Sequence, residues 1–305
     1  MRTVEVAGVT VSAIGLGTWQ FSGDWGYGLE WARTTAPALV RRALELGVTL
    51  IDTAEAYGGG ASELIGGSAL RDDIARDPFV ATKLTPILPI PSVVLGHAER
   101  SRRRLRLSAI DLYQLHFPNP LVPIGIQAAA LRRVLDRGVA RHVGVSNHSL
   151  RRWQAIERAL GRPALSNQVE LSLARPGPLR ELVPYAAAHD RLVIAYSPLG
   201  QGYLTDGHHP RRRNAARMIR RALGCPGPDA LRGVREMLSE VARAHPGATM
   251  AQVALAWVIS HPNVVAIPGA RTLEQLESNV RAADLALTAD EIDRLTAAAF
   301  ATARR

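Results

Sequence analysis

Asp52, Tyr57, Lys83 and His116 are side chains of the kinds that hold and move protons. Lys83 is singular: of 37 lysines and arginines, it is the one lysine. Either an arginine-biased composition spared it by chance, or position 83 needs an amine whose pKa can move, which a guanidinium cannot offer. Taken alone, each of the four has an ordinary structural reading as a turn, packing or core residue. Taken together they describe one chemistry. A phenol titrates near pH 10, so it donates poorly at neutral pH unless a nearby cation stabilises the phenolate. Lys83 would be that cation, Asp52 would partner the buried ammonium, and His116 would orient a carbonyl by donating a hydrogen bond. Tyr57 is then a general acid for an oxygen that gains negative charge.

These four must be brought together by the elements around them. Short apolar, β-branched runs bounded by turn signals predict strands at Ala13–Gly17, Thr49–Asp52, Phe79–Lys83, Asp111–His116, Arg141–Val145, Leu165–Val169, Leu192–Tyr196 and Val264–Ile267. Helical periodicity fills the intervals: Ala36–Leu46, Ser62–Leu70, Ser92–Leu107, Ile124–Arg137, Ser149–Leu160, Pro178–Ala188, Ala230–Ala244 with Met250–His261, and Leu273–Ala282. Eight strands, each followed by a helix, predict a parallel sheet closed into a (β/α)₈ TIM barrel of the α/β class. VEVAGVTV predicts an N-terminal β-hairpin turning at Ala7–Gly8 outside the barrel, and Thr288–Ala301 an additional C-terminal helix. With no linker or shift in composition, residues 1–305 are expected to form one domain. Asp52, Lys83 and His116 each close a strand and Tyr57 follows one. That is the end of the barrel where catalytic groups gather.

Composition narrows the function classes. A hydrophobic content of 47% and a mean hydropathy of zero describe an ordinary soluble globule. MAQVALAWVIS is too short to span a bilayer, MRTVEVAGVTV alternates rather than forming a signal-peptide core, and the single cysteine, Cys225, excludes an internal disulfide. A cytoplasmic protein is expected. The net charge of +10 and the run RRRNAARMIRR at 211–221 raise nucleic acid as a partner, but the arginines are scattered and aromatics are only 5%, so a solvated basic surface is the reading. That field favours anionic ligands. GGG at 58–60 is not followed by a phosphate-loop lysine, GLGTWQ lacks the third glycine of a dinucleotide fingerprint, and His208–His209 has no second ligand cluster, so no metal site is expected. The segment 199–229 is the least regular connection.

The segments GLGTW (15–19), DTAEAYGGGASE (52–63), ATK (81–83), DLYQLH (111–116), GVSN (144–147), NQVE (167–170), YSPLGQG (196–202) and IPGARTLEQLESN (267–279) resemble, in order along nearly the whole chain, the signatures of the aldo-keto reductase superfamily. The resemblance implies carbonyl reduction by hydride transfer from NADPH on the barrel, without metal, with Tyr57 as proton donor and Asp52, Lys83 and His116 completing a tetrad. Tyr196 matches the aromatic that stacks on the nicotinamide, and Ser146, Asn147 and Gln168 match the groups that hold its carboxamide. Pro198, Leu199 and Gly200 to Gly202 would cover the diphosphate, and Ser197 beside them is an expected cofactor contact. Gly17, Thr18, Trp19 and Pro268 are further expected contacts. Gly269 and Arg271 fit the adenosine 2′-phosphate, which favours NADP(H) over NAD(H), and Gln275 and Asn279 fit the adenine end. A glycine turn leading into a helix N-terminus independently suits an anion. The arginine-rich stretch after Gly202 departs from the family's compact pattern.

Loops after strands one to four and seven would wall the substrate, with Trp19, Trp25, Tyr27, Pro86 and Phe117 making a fairly hydrophobic or aromatic pocket for a small carbonyl compound. Two other readings remain open on sequence: a nicotinamide-binding regulatory or sensor protein with little turnover, and a barrel lyase that uses Lys83 as a Schiff-base amine. A closed barrel has no free sheet edge, so a monomer is expected.

Overall fold

The structure, a computed structural model, describes residues 1–23, 28–71, 77–85, 87–207, 227 and 229–303. A hairpin comes first: β1 (Thr3–Val6) and β2 (Val9–Ser12) pair antiparallel, Val6 opposite Val9. Ala7 and Gly8 both have positive φ, 49° and 77°, the two-residue turn whose twist matches that of the strands. Its Val6, Val9 and Val11 pack on Leu50, Leu112, Leu165 and Leu192 from the barrel strands, so the hairpin plugs one mouth of the barrel. Asp190 Oδ2 accepts from Ala7 N at 2.7 Å and latches the turn.

The barrel strands are β3 (Leu16–Gly17), β4 (Leu50–Asp52), β5 (Phe79–Leu84), β6 (Ile110–Leu115), β7 (Ala140–Ser146), β8 (Ser166–Glu170), β9 (Leu192–Tyr196) and β10 (Val264–Ala266). Each pairs in parallel with its neighbour in sequence order. A bridge between Ile14 and Ala266, with Gly15 N donating to Ala266 O (2.8 Å) and Ala266 N to Ala13 O (2.9 Å), joins the first strand to the last and closes the cylinder. The sequence places all eight strands within one to three residues of their observed ends.

The helices are α1 (Leu29–Glu45), α2 (Ala61–Arg71), α3 (Pro91–Leu105), α4 (Ile124–Asp136), α5 (Leu150–Leu160), α6 (Leu182–His189), α7 (Arg232–Ala244), α8 (Met250–Ile259), α9 (Leu273–Arg281) and the C-terminal α10 (Ala289–Ala303). In α5, Ser149 caps the N-terminus by accepting from Arg152 N, Trp153, Ile156 and Leu160 form the buried stripe, and Gly161 at φ 72° ends it. Thr249 and Gln252 make a reciprocal capping box on α8. From Gln252 on that helix is buried on every side, which accounts for the apolar run Val253–Ile259. Among the described residues, no helix is long and apolar enough to cross a membrane.

Two helices depart from the sequence reading. α1 begins at Leu29 rather than Ala36, because the turns before Pro37 bury Ala32 and pack Trp31 against Phe21, which outweighs the hydrogen bond that Pro37 cannot make. The helix read at Pro178–Ala188 splits into a short 3₁₀ turn (Gly177–Arg180) and α6. Restarting at Leu182 puts Pro184 in the first turn, where a missing N–H is harmless.

Along β4 to β8, Asp52, Lys83, Gln114, Gly144, Ser166 and Gln168 occupy alternate positions from the apolar residues that face the helices. Gly144 is where this interior is tightest. A β-carbon there would lie 2.3 Å from Ser166 Oγ and 3.0 Å from its carbonyl oxygen. Gly144→Ala should therefore cost about 1–3 kcal/mol by overpacking. Urea denaturation should show a lowered midpoint at unchanged slope.

Candidate active site

Lys83 is the last inward residue of β5 and is fully buried. Its ammonium has three protons to place, and the structure supplies three acceptors: Asp52 Oδ1 at 2.7 Å, the Thr53 carbonyl at 2.7 Å and the Tyr57 hydroxyl at 3.3 Å. Asp52 is also 1% exposed, and its second oxygen accepts from Gln168 Nε2 at 2.8 Å. Burial works against the charge on Lys83, but the Asp52 carboxylate and the Tyr57 oxygen outweigh it, and the lysine is held protonated.

Tyr57 shows which effect wins at the phenol. Burial raises its pKa, Lys83 pulls it back, Asp52 pushes it up again, and the net shift is upward. Lys83 therefore moderates the penalty without overcoming it, and Tyr57 holds its proton at neutral pH. His116 follows β6, and its ring meets that of Tyr57 edge-on with centroids 5.8 Å apart. Burial, with Lys83 adding to it, lowers its pKa to about 3, so the imidazole is neutral. Its Nδ1 is buried without a partner.

The loop that carries Tyr57 is fixed from several sides. Thr53 N donates to Ala81 O (2.9 Å), and Ser62 Oγ bonds both Thr53 Oγ1 (2.9 Å) and Thr18 Oγ1 (2.7 Å). Glu55 reaches across to the next loop, accepting from Thr85 N at 2.8 Å and meeting His97 Nδ1 at 2.7 Å. Buried Glu63 accepts from Thr82 Oγ1 and Arg104 Nε, both at 2.6 Å. Glu55, Glu63 and Gln168's bond to Asp52 were not anticipated from the sequence. The available signal was donor arithmetic: a buried ammonium and a buried carboxylate each need more partners than the other can provide.

The expected cofactor residues lie on the same end of the barrel. Tyr196 closes β9 and donates to Asn147 Oδ1 (2.9 Å), while Asn147 Nδ2 donates to the His116 carbonyl (3.1 Å) and Ser146 Oγ to the Gln168 carbonyl (2.9 Å). Asn147 and Ser197 both sit at positive φ, 60° and 50°, a strained setting that clusters at ligand sites. Pro198 and Leu199 lead into the turn Gly200–Gly202, closed by Gly200 N to Ser197 O and Gly202 N to Leu199 O. After the neighbouring strand β10, Thr272 caps α9, Gln275 Oε1 accepts from Arg271 N (2.9 Å), and Asn279 Nδ2 donates to Gly269 O (3.4 Å). Gln275 is thus turned back on its own helix end. Gln20, not foreseen, lies against Gly269, where a β-carbon would sit 1.9 Å from its amide nitrogen.

Other expected residues are placed differently. Gly17 N donates to the Pro268 carbonyl (3.2 Å), and the Thr18 hydroxyl is buried and committed to Asp52 O and Ser62, so these two join strands. Trp19 and Phe117 are half-exposed at the rim. Trp25, Tyr27 and Pro86 lie outside the described residues, as do His208–His209, Cys225 and the run 211–221. Among the described residues there is no cluster of three potential metal-ligating side chains.

A parallel eight-stranded barrel with a buried Asp–Lys pair, a half-buried tyrosine on that lysine and a neutral histidine beside it defines a class, and comparison with known proteins agrees. The sequence model of the aldo/keto reductase family matches residues 13–299, and the chain belongs to that family. It is 48% identical over 305 residues to an uncharacterized oxidoreductase of Mycobacterium tuberculosis, covering 99% of this chain and 94% of the relative. It is 32% identical to the methylglyoxal reductase of Escherichia coli, covering 96% and 93%. Among solved structures, an aldo/keto reductase from Klebsiella pneumoniae in complex with NADP and acetate matches with a TM-score of 0.76 at 32% identity, over 96% of this chain and 94% of that one.

Two outcomes test this geometry. Lys83→Met leaves Asp52 buried without its cation and should cost about 3–5 kcal/mol in urea denaturation, whereas the double change with Asp52→Leu should cost clearly less. Three imidazoles largely shielded from water also set an acid limit. His116, His148 and His261 titrate near 3, 4 and 4 in the fold against 6.5 when unfolded, so the unfolded chain binds more protons between those values. Stability should fall as pH drops from about 6.5 towards 4, and His116→Gln should flatten that slope in denaturation midpoints measured across the range.

Proposed function

We propose that this chain is an NADPH-dependent reductase of aldehydes or ketones in which Tyr57 is the general acid. The observation that carries the reading is the Lys83 ammonium, fully buried and saturated by Asp52, Thr53 and Tyr57. A protonated lysine with all three donors engaged is a poor Schiff-base amine, since that chemistry needs a free, neutral nitrogen; this tells against the lyase reading. It suits a phenol that must shed a proton, because the negative charge left behind lies beside a cation already paid for by the fold.

The residues at the open mouth fit a nicotinamide dinucleotide. Gln168 donates with Nε2 to Asp52 and keeps Oε1 for a carboxamide N–H, the Asn147 amide stands at a left-handed turn beside it, and the Tyr196 hydroxyl donates to Asn147. Gly200 and Gly202 bring backbone close to a diphosphate path, and Arg271 at the start of α9 suits a 2′-phosphate, the ground for preferring NADP(H). NADP is what the Klebsiella relative was crystallised with. When bound, the nicotinamide would supply a hydride to the carbonyl carbon.

The chain's own residues do the rest. Neutral His116 would orient the carbonyl oxygen by a hydrogen bond, with no charge of its own to compete for the developing oxyanion. Tyr57 would deliver its hydroxyl proton to that oxygen as negative charge accumulates. Lys83 would stabilise the phenolate, and Asp52, steadied by Gln168, would keep the ammonium charged and in place. Thr18, Ser62 and Glu55 would hold the Tyr57 loop at reacting distance.

Tyr57→Phe removes only the donor oxygen. Following NADPH oxidation with a panel of aldehydes and ketones, it should lower kcat by at least about 10²-fold while leaving NADPH affinity, read from protein fluorescence, within about twofold. Unchanged turnover would refute the assignment, and tight NADPH binding with no turnover by either protein would favour a sensor.

A further inference from the structure

We propose that Arg104, in the last turn of α3 and outside the barrel, is a positioning residue: its guanidinium, held by buried Glu63, sets where the glycine run after Tyr57 lies and so how close the phenol stands to Lys83. The proposal rests on the reductase reading for the role of Tyr57, while the geometry stands without it.

Tyr57 opens a short turn, Tyr57–Gly60, that runs straight into α2. The three glycines after the phenol have positive φ, 62°, 62° and 96°, and the turn has no side chain of its own with which to grip the barrel. What holds the Tyr57 hydroxyl 3.3 Å from the Lys83 ammonium must therefore press on this backbone from outside. Ser62 does so through Thr18 and Thr53. Arg104 does so from α3. A β-carbon at Gly60 would lie 2.6 Å from Arg104 Nε, 2.9 Å from Cδ and 3.0 Å from Cζ, so the end of the arginine fills the space that a side chain at position 60 would need.

The arginine reaches this place along the interface between two helices. α2 and α3 approach most closely at Gly67, where a β-carbon would lie 2.5 Å from the Arg104 carbonyl oxygen and 2.6 Å from Leu105 Cα. From that level the Arg104 side chain extends back to Gly60, about two helical turns, a span for a long side chain. Its heading is fixed by Nε, which donates to Glu63 Oε2 (2.6 Å), and by Nη2, which donates to Ser101 Oγ (3.4 Å). Glu63 lies in the first turn of α2 with its side chain 0% exposed, and its other oxygen accepts from Thr82 Oγ1 (2.6 Å). Thr82 directly precedes Lys83 on β5. One carboxylate thus joins the segment that carries the phenol to the strand that carries the ammonium. Arg104 supplies the cation without which that carboxylate would be buried uncompensated. A displacement of about 1 Å at reacting groups can cost 10²-fold in rate, so a residue that acts in this way changes the chemical step and spares binding.

Wild type, Arg104→Ala, Arg104→Lys and the neighbouring surface control Arg103→Ala are to be assayed with methylglyoxal and benzaldehyde, with thermal melts as the folding control. Arg104→Ala should lower kcat by about 10- to 100-fold and leave KM and NADPH affinity within about twofold. Arg104→Lys, which keeps a charge for Glu63 but not the planar fork, should lose about threefold. Arg103, whose side chain is 60% exposed and 3.8 Å from Glu99, should be replaceable without effect. The Arg104 side chain is 21% exposed, so a small cation can enter the space it leaves. Guanidinium at about 20 mM, too dilute to denature, should raise kcat of Arg104→Ala several-fold and leave wild type unchanged. Amide hydrogen exchange gives a readout independent of turnover: residues 57–61 should exchange about tenfold faster in Arg104→Ala, with β8 and β9 unchanged, and guanidinium should reverse the gain. Unchanged kcat in a folded Arg104→Ala, a loss carried by KM or NADPH affinity, a loss that guanidinium does not relieve, or protection retained at 57–61 overturns the proposal. If Arg104→Ala does not fold, Arg104→Lys decides by the same readouts, and unchanged kcat and exchange in it overturn the proposal. If wild type reduces neither carbonyl and Tyr57→Phe alters nothing, the reductase reading fails, and exchange at 57–61 decides the part of Arg104 by itself.

Discussion

Among the described residues one positive charge, that of Lys83, lies fully buried inside this barrel, and the open mouth is organised around it. Moving an ammonium out of water costs several kcal/mol even after relaxation, and burying the opposing carboxylate costs a similar amount. The pair survives because no donor or acceptor on it is wasted. Lys83 fills its three positions, and Asp52 fills both oxygens with Lys83 and Gln168. Those partners come from β4, the loop after it and β8, on different sides of the cylinder. The requirement to solvate one ion with protein therefore fixes how the strand ends must meet.

The same constraint decides the state of the phenol. Burial alone would make Tyr57 a very weak acid, and Lys83 softens that without reversing it. In the proposed reaction this leaves a donor loaded before substrate arrives, which gives up its proton only as the oxygen next to it gains charge and becomes a better base. A lysine is suited to this for a reason other than the movable pKa that the lone residue first suggests. Its pKa moves further from neutrality, not towards it. What position 83 uses is a compact ammonium with three diverging donors, which a planar guanidinium could not direct at a carboxylate, a backbone carbonyl and a phenol lying on different sides.

How much of this was legible in the sequence depends on range. Strands and their order were readable because alternation and turn residues are local signals, and closure follows from the number of units. The four reactive side chains were readable because each ends or follows a strand. Bonds between distant segments were not. Gln168 on Asp52 spans 116 positions and the approach of Gln20 to Gly269 more than twice as many, and no periodicity announces either. Glu55 was quoted within a motif without a role, since its partners at Thr85 and His97 appear only when two loops are set side by side. Gln275 was read as facing adenine, but a helix N-terminus offers its own unpaired N–H groups, and the nearest amide takes one.

The division of labour between strands and loops follows from what each can be asked to hold. Asp52 and Lys83 are fixed by strand register: Lys83 lies opposite Gln114, Asp52 opposite Ala81, and a shift of one residue would turn both outward. Loops have no register, so any that must keep a shape needs its own framework. The Tyr57 loop obtains it from the Ser62 hydroxyl and from Glu55 and Glu63. The loop after His116 obtains it from Pro118, Pro120 and Pro123 and from Asn119, whose Oδ1 accepts from Leu121 N and Val122 N. Chemistry common to many carbonyl compounds can then be held by the rigid cylinder, while the shape of the surface above it is set by a few side chains whose replacement leaves the ion pair untouched.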